Sequence, residues 1–376
     1  MASRPVKATQ KTPTGPAAHT RGQQRRPRTT TENPLGTDGF EFVEYAAPAS
    51  AGLGAVFEKM GFVAVARHRS KNVTLYRQGD INFVVNHEPN SFAQAFARVH
   101  GPSLCAFAIR VRDANFALKQ LVALGAKSYH GRIGPMELNI PAIRGIGGSL
   151  IYLVDRYGDR TIYDVDFIPN DTAPRQIEPA GLTHIDHLTH NVHQGRMDQW
   201  REFYKRLFNF REIRYFNIHG QKTGLRSRAL VSACGKIRIP INEPADRQSQ
   251  VQEYLEAYHG EGIQHIAVAT ADIYATVEAL RASGVDFLDT PQGYYERLAK
   301  GSLAADEDRE RLARNQILID GEAGAGLLLQ IFTKPVIGPI FFEIIQRKGN
   351  AGFGEGNFRA LFETIEKDQM ARGVVR

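Results

Sequence analysis

Two histidines and one glutamate occupy matching positions in three apolar segments of the chain. The interval from His187 to His265 equals the interval from His265 to Glu343, at 78 residues each. A buried carboxylate is costly unless it is paired, hydrogen-bonded or bound to a cation, so Glu343 needs a partner. Two imidazoles and one carboxylate at equivalent points of a repeat suit one octahedral metal with open coordination positions. This pattern predicts an Fe(II) site of the 2-His-1-carboxylate type.

Other histidines recur at every third position around His187: His184, His190 and His193. Such spacing on a helix would suggest a metal cluster, but the segment predicts a strand, in which alternate residues share a face. We therefore expect His187 to point to the same side as Ile185 and Thr189. The other three histidines are expected to have structural or surface roles.

The positions of the elements form an internal repeat. A strand, a helix and several further strands recur four times, with the helices predicted at 50–60, 114–124, 197–207 and 273–283. Repeats of one supersecondary unit determine the fold, and each sheet must bury one face. We predict an α+β fold with two domains, in which paired βαβββ repeats form open barrels. The predicted N-terminal domain covers 37–168 and the C-terminal domain covers 181–376.

A last helix is predicted at 357–370, after the glycine-rich segment 352–358. That segment does not fit the G-x-G-x-x-G pattern, and no Lys-Ser or Lys-Thr pair follows it, so a phosphate loop is the weaker interpretation. Glycines ahead of a helix permit a hinge. The helix is therefore predicted to act as a gating lid over the C-terminal cavity.

Most of the positive charge lies at the beginning of the chain. Residues 1–36 hold seven Lys or Arg and one acid, Glu32, which accounts for +6 of the formal net charge of +7. We predict a disordered basic tail over 1–36, since it has almost nothing apolar to bury. The near-neutral remainder argues against a nucleic-acid partner. With no apolar run of membrane-span length and only two cysteines, we expect a cytoplasmic protein without a membrane partner.

Longer motifs surround the three candidate ligands: Ile185-Asp-His-Leu-Thr-His-Asn-Val192, Gly262-Ile-Gln-His265, Leu327-Leu-Leu-Gln-Ile-Phe-Thr-Lys334, Phe341-Phe-Glu-Ile-Ile-Gln-Arg-Lys348 and Gly352-Phe-Gly-Glu-Gly-Asn-Phe358. Through them the chain resembles the 4-hydroxyphenylpyruvate dioxygenase family, from about Glu32 to the C-terminus. This family belongs to the vicinal oxygen chelate superfamily, which has the glyoxalase/bleomycin-resistance type of fold. The resemblance implies conversion of 4-hydroxyphenylpyruvate and O2 to homogentisate and CO2.

The same resemblance implies that His187, His265 and Glu343 bind Fe(II), and that the protein is a homo-oligomer, a tetramer rather than a dimer. Its implied substrate-binding residues are Ser227, Asn242, Gln250, Gln264, Gln330, Phe332, Phe341, Phe353, Asn357, Phe358 and Leu361. Among them Gln264, Gln330 and Asn242 are assigned catalytic roles. Ser227, Asn242 and Gln250 suit the phenol end of the substrate, while Phe341 and Phe358 are expected to flank its ring.

The N-terminal half has no matching ligand set. Alignment of the repeats places Ala106 opposite His265 and Tyr152 opposite Glu343, so one Fe(II) per chain is expected.

Several alternatives stay open at this point. An ion pair with Arg347 or a neighbouring Lys is the structural alternative for Glu343. The alternative functions are a 4-hydroxymandelate synthase, a non-catalytic ligand-binding protein of the same fold, and an extradiol ring-cleaving dioxygenase.

Overall fold

The computed structural model describes residues 28–48, 51–171, 177–290, 293–299, 307–322 and 326–375. The strands are β1 Phe40–Ala46, β2 Val63–His68, β3 Val73–Gln78, β4 Ile81–Asn86, β5 Ser103–Arg110, β6 Ser128–Tyr129, β7 Ala142–Arg144, β8 Leu150–Val154, β9 Phe167–Pro169, β10 Leu182–Asn191, β11 Arg211–His219, β12 Gly224–Val231, β13 Arg238–Pro244, β14 Gly262–Thr270, β15 Leu318–Glu322, β16 Gly326–Phe332 and β17 Phe341–Lys348. The helices are α1 Leu53–Lys59, α2 Phe92–His100, α3 Ala114–Ala123, α4 Tyr163–Asp166, α5 Met197–Phe208, α6 Gln250–Ala257, α7 Ile273–Ala282, α8 Tyr294–Ala299, α9 Arg309–Asn315 and α10 Glu355–Ala371.

These strands form two curled sheets with the same central arrangement. The first has the order β6-β7-β8-β5-β1-β4-β3-β2-β9, and the second has the order β11-β12-β13-β10-β14-β17-β16-β15. An antiparallel pair lies at the centre of each sheet, β1 with β5 and β10 with β14. Parallel strands flank each pair: β4 and β8 in the first sheet, β13 and β17 in the second. The predicted α+β fold of paired repeats in open barrels is confirmed.

A side-chain cap explains where α3 and α7 begin, the second helix of each pair of repeats, whereas α1 and α5 begin without one. Asp113 accepts a 2.8 Å hydrogen bond from the backbone N–H of Phe116 at the start of α3, and Asp272 caps α7 in the same way. A side-chain oxygen at this position satisfies an N–H that the helix leaves free. Helices α2 and α6 were not predicted from the sequence, although both follow a capping serine, Ser91 and Ser249. Each serine is followed three residues later by a Gln, which is the capping-box signal that identifies such helices.

One hydrophobic core connects the two sheets. Phe83 of β4 packs against Phe342 of β17, with ring centroids 5.9 Å apart. Phe107 of β5 meets the ring of His190 of β10 edge-on at 6.1 Å. These side chains belong to one cluster of buried hydrophobic residues that includes both sheets. No helix in the described residues is long and apolar enough to cross a membrane.

The segment predicted as a tail differs from the expectation near its end. Residues 1–27 lie outside the described residues, but 28–36 are described, and Leu35 is only 2% exposed. The backbone carbonyl of Leu35 accepts a hydrogen bond from the N–H of Arg112, and that of Glu32 accepts one from the Asn209 side chain. The composition of the segment did not predict this contact, because a single leucine makes it.

Replacing Leu35 with Ala should destabilise the protein by about 2–4 kcal/mol, since the substitution removes a fully packed side chain from the core. Val99→Ala is the matched control, because Val99 is 58% exposed. Chemical denaturation of both variants measures the difference. Equal unfolding free energies for the two variants would show that the 28–36 segment contributes nothing to the fold.

Candidate metal centre and substrate cavity

Three adjacent central strands position the candidate ligands on one face of the second sheet. His187 of β10 lies opposite Ala267 of β14, and Ala267 lies opposite Glu343 of β17. His265 is two residues from Ala267 on β14, so it shares this face. All three side chains are buried, and one ligand atom from each lies within 4.8 Å of the others. This is the only such group of three in the residues that the structure describes.

A bulge precedes each histidine and sets the direction of its ring. In the pairing of β10 with β14, Asp186 is the extra residue before His187, and Gln264 is the extra residue before His265. A bulge re-aims side chains locally. Asp186 Oδ1 lies 2.8 Å from Nδ1 of His187, and Gln264 Oε1 lies 3.1 Å from Nδ1 of His265. Hydrogen bonding at Nδ1 leaves Nε2 of both rings free for a metal.

The bulge at Asp186 also corrects one expectation. Ile185 pairs with Val268 and points into the core, away from His187, whereas Thr189 does share the face of His187. His190 is buried on the opposite side, and burial lowers its pKa to about 3. His184 and His193 are exposed. None of these three histidines joins the metal-ligating group.

Both histidines turn Nε2 toward the same oxygen of Glu343. Oε2 lies 3.2 Å from Nε2 of His187 and 3.4 Å from Nε2 of His265. Burial opposes ionisation of this carboxyl group, but the His187 and His265 rings outweigh it and hold the pKa of Glu343 at about 2. An ionised carboxylate with two imidazole nitrogens is a donor set that fits a divalent transition metal.

The second carboxylate oxygen of Glu343 is occupied by an amide. Gln330 Nε2 donates a 2.7 Å hydrogen bond to Glu343 Oε1. Asn357 Nδ2 donates in turn to Gln330 Oε1 at 2.8 Å, which fixes the orientation of the Gln330 amide. This chain leaves Oε2 as the glutamate oxygen available to a metal.

Arg347 does not pair with Glu343, as the structural alternative proposed. It forms a bidentate ion pair with Asp186, with distances of 2.7 Å from Nε to Oδ2 and 2.8 Å from Nη2 to Oδ1. Arg238 lies at 3.4 Å from the same carboxylate. Burial opposes ionisation of Asp186, but Arg347 and His187 outweigh it and hold the pKa of Asp186 well below its usual range.

A cavity of about 390 Å³ opens beside the three ligands. Its lining contains these sequence-predicted residues: His187, His265, Glu343, Ser227, Asn242, Gln330, Phe332, Phe353, Phe358 and Leu361. Ser227 and Asn242 lie opposite each other on β12 and β13, so they form one polar patch. The buried Asn242 Oδ1 has no hydrogen-bond partner in the described part of the chain. The cavity therefore combines aromatic walls, the candidate metal-ligating group and a polar patch whose Asn242 acceptor has no partner among the described residues.

Four predicted residues are not in this lining. Gln250, Gln264 and Phe341 line a second cavity, of about 700 Å³, between α6, α10 and the start of β17. Phe341 stacks on the ring of His265 at 4.8 Å, so it supports the ligand instead of facing the first cavity. Asn357 is fully buried behind Gln330. The aromatic side chains that do line the first cavity with Phe358 are Phe332, Phe353 and Phe216.

Two lining residues were not predicted from the sequence: Phe216 and Pro240. Pro240 stands two residues from Asn242, so strand periodicity could have identified it, as it placed Thr189 on the side of His187. Phe216 lies opposite Ser227 on the neighbouring strand β11. Nothing local in the sequence indicates that pairing.

Helix α10 closes one side of the cavity and begins two residues earlier than predicted. Its N-cap residue is Gly354, with φ of 64°, and a Cβ there would lie 2.5 Å from Gln330 Oε1. Only glycine combines this conformation with so close an approach. Asp320 of β15 accepts a 2.7 Å hydrogen bond from the N–H of Gly356 in the first turn. Phe358 then packs edge-on against Phe216 at 5.6 Å.

A carboxylate fastens the far half of α10 to the second sheet. Glu366 is 1% exposed and accepts hydrogen bonds from the backbone N–H groups of Gln221, Lys222 and Thr223, at 2.8, 3.0 and 2.7 Å. The Thr223 hydroxyl donates to it as well, at 2.8 Å. Burial opposes the charged form, but these donors outweigh it and lower the pKa of Glu366.

Comparison with known families matches both halves of the chain. Residues 31–168 match the family described as hydroxyphenylpyruvate dioxygenase, N-terminal. Residues 181–312 match the glyoxalase/bleomycin resistance protein/dioxygenase superfamily.

Individual relatives agree with these matches. The chain is 59% identical to hemolysin VllY of Vibrio vulnificus, over 91% of this chain and 98% of that protein. It is 57% identical to 4-hydroxyphenylpyruvate dioxygenase of Pseudomonas aeruginosa, over 91% and 97% of the two chains.

Two solved structures are similar over 89% of this chain, each with a TM-score of 0.77. One is a fusion protein of a xylose isomerase-like TIM barrel with a 4-hydroxyphenylpyruvate dioxygenase, at 39% identity, and the similarity covers 53% of that chain. The other is a mutant 4-hydroxymandelate synthase from Streptomyces coelicolor, at 26% identity, with 99% of that chain covered.

Replacing His187, His265 or Glu343 with Ala should weaken Fe(II) or Co(II) binding by more than roughly a hundredfold, the upper limit for loss of an outer-shell partner. His184→Ala is the matched control, since His184 is an exposed histidine of the same strand. Calorimetric titration with Co(II) measures the affinity, and circular dichroism checks the fold. Stoichiometric metal binding in any of the three variants would remove that residue from the ligand set.

Replacing Glu366 with Gln should destabilise the protein by about 1–3 kcal/mol near neutral pH, because a charge-assisted acceptor is lost. The folded-state pKa of Glu366 is lowered, so its contribution is present above the ordinary carboxyl pKa of 4.5 and is lost as the pH falls. The difference from wild type should therefore shrink between about pH 5 and pH 3. Denaturation across this range, with exposed Glu363→Gln as control, measures it. A pH-independent difference would contradict the assignment.

Proposed function

The chain belongs to the 4-hydroxyphenylpyruvate dioxygenase family, and from that premise we propose that its cavity converts 4-hydroxyphenylpyruvate and O2 to homogentisate and CO2 with one Fe(II) per chain. One observation carries this proposal at the level of residues. The His187, His265 and Glu343 group opens into the same cavity as an aromatic wall and the Ser227–Asn242 patch. The proposed substrate matches this arrangement, because its aromatic ring carries a phenol O–H at one end and a 2-oxo acid at the other.

His187 Nε2, His265 Nε2 and Glu343 Oε2 would hold the iron. When bound, Fe(II) would supply a coordination site for the 2-oxo acid and O2, and oxidation of the substrate, by loss of CO2 and by ring hydroxylation, would supply the electrons that reduce O2. One oxygen atom goes to the new carboxylate as CO2 is lost, and the other goes to the ring, so the atoms of substrate and O2 are all accounted for.

Gln330 and Asn357 are proposed to keep Glu343 in a fixed orientation. The hydrogen bond from Gln330 Nε2 uses Oε1, so the glutamate presents Oε2 alone. Asn357 belongs to the first turn of α10, and its amide holds Gln330 in place. A displaced α10 would release this amide, which supports a link between lid position and ligand orientation.

The rest of the cavity orients the substrate. Asn242 Oδ1, a buried acceptor without a partner in the described residues, is suited to the phenol O–H. Phe332 and Phe358 supply ring contacts, which hold the aromatic ring near the metal ligands. Closure of α10 excludes water from the reacting groups, and water exclusion suppresses side reactions. The catalytic roles of Gln330 and Asn242 are part of this proposal, as is a supporting role for Gln264 through His265.

The alternative that a specific observation favours is 4-hydroxymandelate synthase, because a mutant of that enzyme is a structural neighbour. Identity to it is 26%, against 57% to the dioxygenase of Pseudomonas aeruginosa, so the dioxygenase is better supported. A non-catalytic binding protein would not need the buried group formed by His187, His265 and Glu343.

One assay separates these functions. The protein is loaded anaerobically with Fe(II), mixed with 4-hydroxyphenylpyruvate and then with O2, and the aromatic product is identified. We expect homogentisate, with one O2 consumed per CO2 released. Hydroxymandelate would favour the synthase, and absence of oxygen uptake would favour a binding protein. The Glu343→Ala variant is the control for oxygen uptake caused by iron that is bound elsewhere or free in solution.

Assembly, location and domain limits remain proposals. The first sheet uses strands from Phe40 to Pro169 and the second from Leu182 to Lys348, which supports domains at 37–168 and 181–376. Exposed apolar side chains on and after α3, such as Phe116 and Leu124, support a homo-oligomer. We propose a tetramer in the cytoplasm, and light scattering tests the oligomeric state.

Replacing Phe358 with Ala should weaken binding of 4-hydroxyphenylpyruvate by about 1–3 kcal/mol, the typical effect of losing a buried aromatic contact. The same change should raise the fraction of arylacetate, because α10 loses its contact with Phe216. Val99→Ala on α2 is the control, since Val99 is exposed and lies outside the cavity lining. Unchanged affinity and product ratio in the Phe358 variant would show that α10 only packs against the sheet.

A further inference from the structure

Arg347 is the only described side chain that hydrogen-bonds both Asp186, the partner of His187, and the segment ahead of α10. Its Nε and Nη2 hold the two oxygens of Asp186, at 2.7 and 2.8 Å. Its Nη1 donates to the backbone carbonyls of Asn350, at 3.2 Å, and of Gly352. One planar guanidinium thus joins the segment that follows β17 to Asp186, which lies 161 residues before Arg347 in the sequence.

The partners of Arg347 lead in both directions to the cavity. On one side, Asp186 bonds Nδ1 of His187 at 2.8 Å and so sets the orientation of that ligand ring. On the other side, the segment 349–354 carries Phe353, whose ring lies 5.8 Å from the Arg347 guanidinium and 5.4 Å from the His187 ring. His187, Asp186, Arg347 and Phe353 therefore form a closed circuit of contacts.

We propose that Arg347 is a positioning residue that couples the orientation of the His187 ring to the closed position of the 349–354 segment and of helix α10. The proposal rests on the function proposed above and adds a residue to it. When the segment lies in place, its carbonyls hold the guanidinium on Asp186. When the segment moves away, Arg347 loses two acceptors, and Asp186 is free to shift with His187.

Charge compensation alone does not explain this arrangement. Arg238 also approaches Asp186, at 3.4 Å, so a positive charge near this buried carboxylate is already present. Among the described contacts, Arg238 has none with the 349–354 segment. A guanidinium that serves only to neutralise Asp186 would not need the carbonyls of Asn350 and Gly352. Arg238 is thus a suitable control, because it also places a positive charge near Asp186 but has no described contact with the 349–354 segment.

Coupling between two sites is reciprocal, so a metal at His187 must also stabilise the closed segment if Arg347 connects them. Hydrogen–deuterium exchange measures this without turnover. The full chain is compared with and without Co(II), which replaces Fe(II) as a probe that consumes no oxygen. In wild type we expect Co(II) to slow exchange in peptides covering 349–354 by roughly fivefold or more. Helix α10 serves as an internal comparison, since Asn357 and Gln330 connect it separately to Glu343.

Arg347→Gln should remove the Co(II)-dependent slowing in 349–354, while the protein still binds Co(II) at saturating concentration. Arg347→Lys should lose most of it too, because lysine keeps the charge but cannot hold a carboxylate and two carbonyls with one planar fork. Arg238→Gln should retain it. Rescue by lysine, or loss in the Arg238 variant, would show that charge alone matters and would overturn the proposal.

The remaining outcomes also decide the matter. A wild-type segment that ignores Co(II), or an Arg347→Gln segment that responds like wild type, would refute the coupling. If neither Arg347 variant folded, Arg347 would be required for folding itself, and that outcome would also refute the coupling. Product analysis of the Fe(II)-loaded wild type is run on the same preparation. A product other than homogentisate would refute the proposed function, and the exchange data would still decide the role of Arg347.

Discussion

Two buried negative charges, on the strands β10 and β17 that flank β14, are the constraint on which the rest of the site depends. Glu343 and Asp186 are each 2% exposed, and carboxylates so far from water are destabilising unless they are compensated. Glu343 is compensated by two imidazoles and an amide, and Asp186 by two guanidiniums and an imidazole. His187 belongs to both sets. The positions of Gln330 and Arg347 follow from this need for donors, and the backbone carbonyls of Asn350 and Gly352 accept further hydrogen bonds from the Arg347 guanidinium.

Much of this arrangement could be predicted from the sequence, and the reason is periodicity. The equal spacing of His187, His265 and Glu343 singled out three side chains that the structure brings together in the second sheet. Only the two histidines occupy equivalent strands, the central pair β10 and β14, whereas Glu343 lies on β17, which flanks β14 as β13 flanks β10. Bulges were not visible, because they depend on how β10 pairs with β14. The extra residue Asp186 turns Ile185 to the face opposite His187. It also places its own carboxylate beside the imidazole of His187, the next residue in the chain.

Family resemblance identified residues near the cavity better than it identified their roles. Phe341 was expected to face the substrate ring, but it stacks on His265 from the side of the second cavity. Its direction depends on the parallel pairing of β17 with β14, which no short motif encodes. Phe216 illustrates the converse: it reaches the first cavity only because β11 pairs with β12.

The first sheet has the same central topology, but its described residues do not contain the group of two histidines and one glutamate found in the second sheet. Ala106 lies where the second sheet has His265, and Tyr152 lies opposite Ala108 as Glu343 lies opposite Ala267. Phe42 packs on the Tyr152 ring at 5.6 Å, within an apolar cluster. The same face of the first sheet also holds a buried carboxylate, Glu44, which lies opposite Ala106 and accepts a 2.7 Å hydrogen bond from the side-chain amide of Asn86. A carboxylate on this face is therefore compatible with the fold when an amide compensates it. Glu343 has two imidazoles in addition to the amide of Gln330, and these two histidines are the argument for a metal-binding function, made within a single chain.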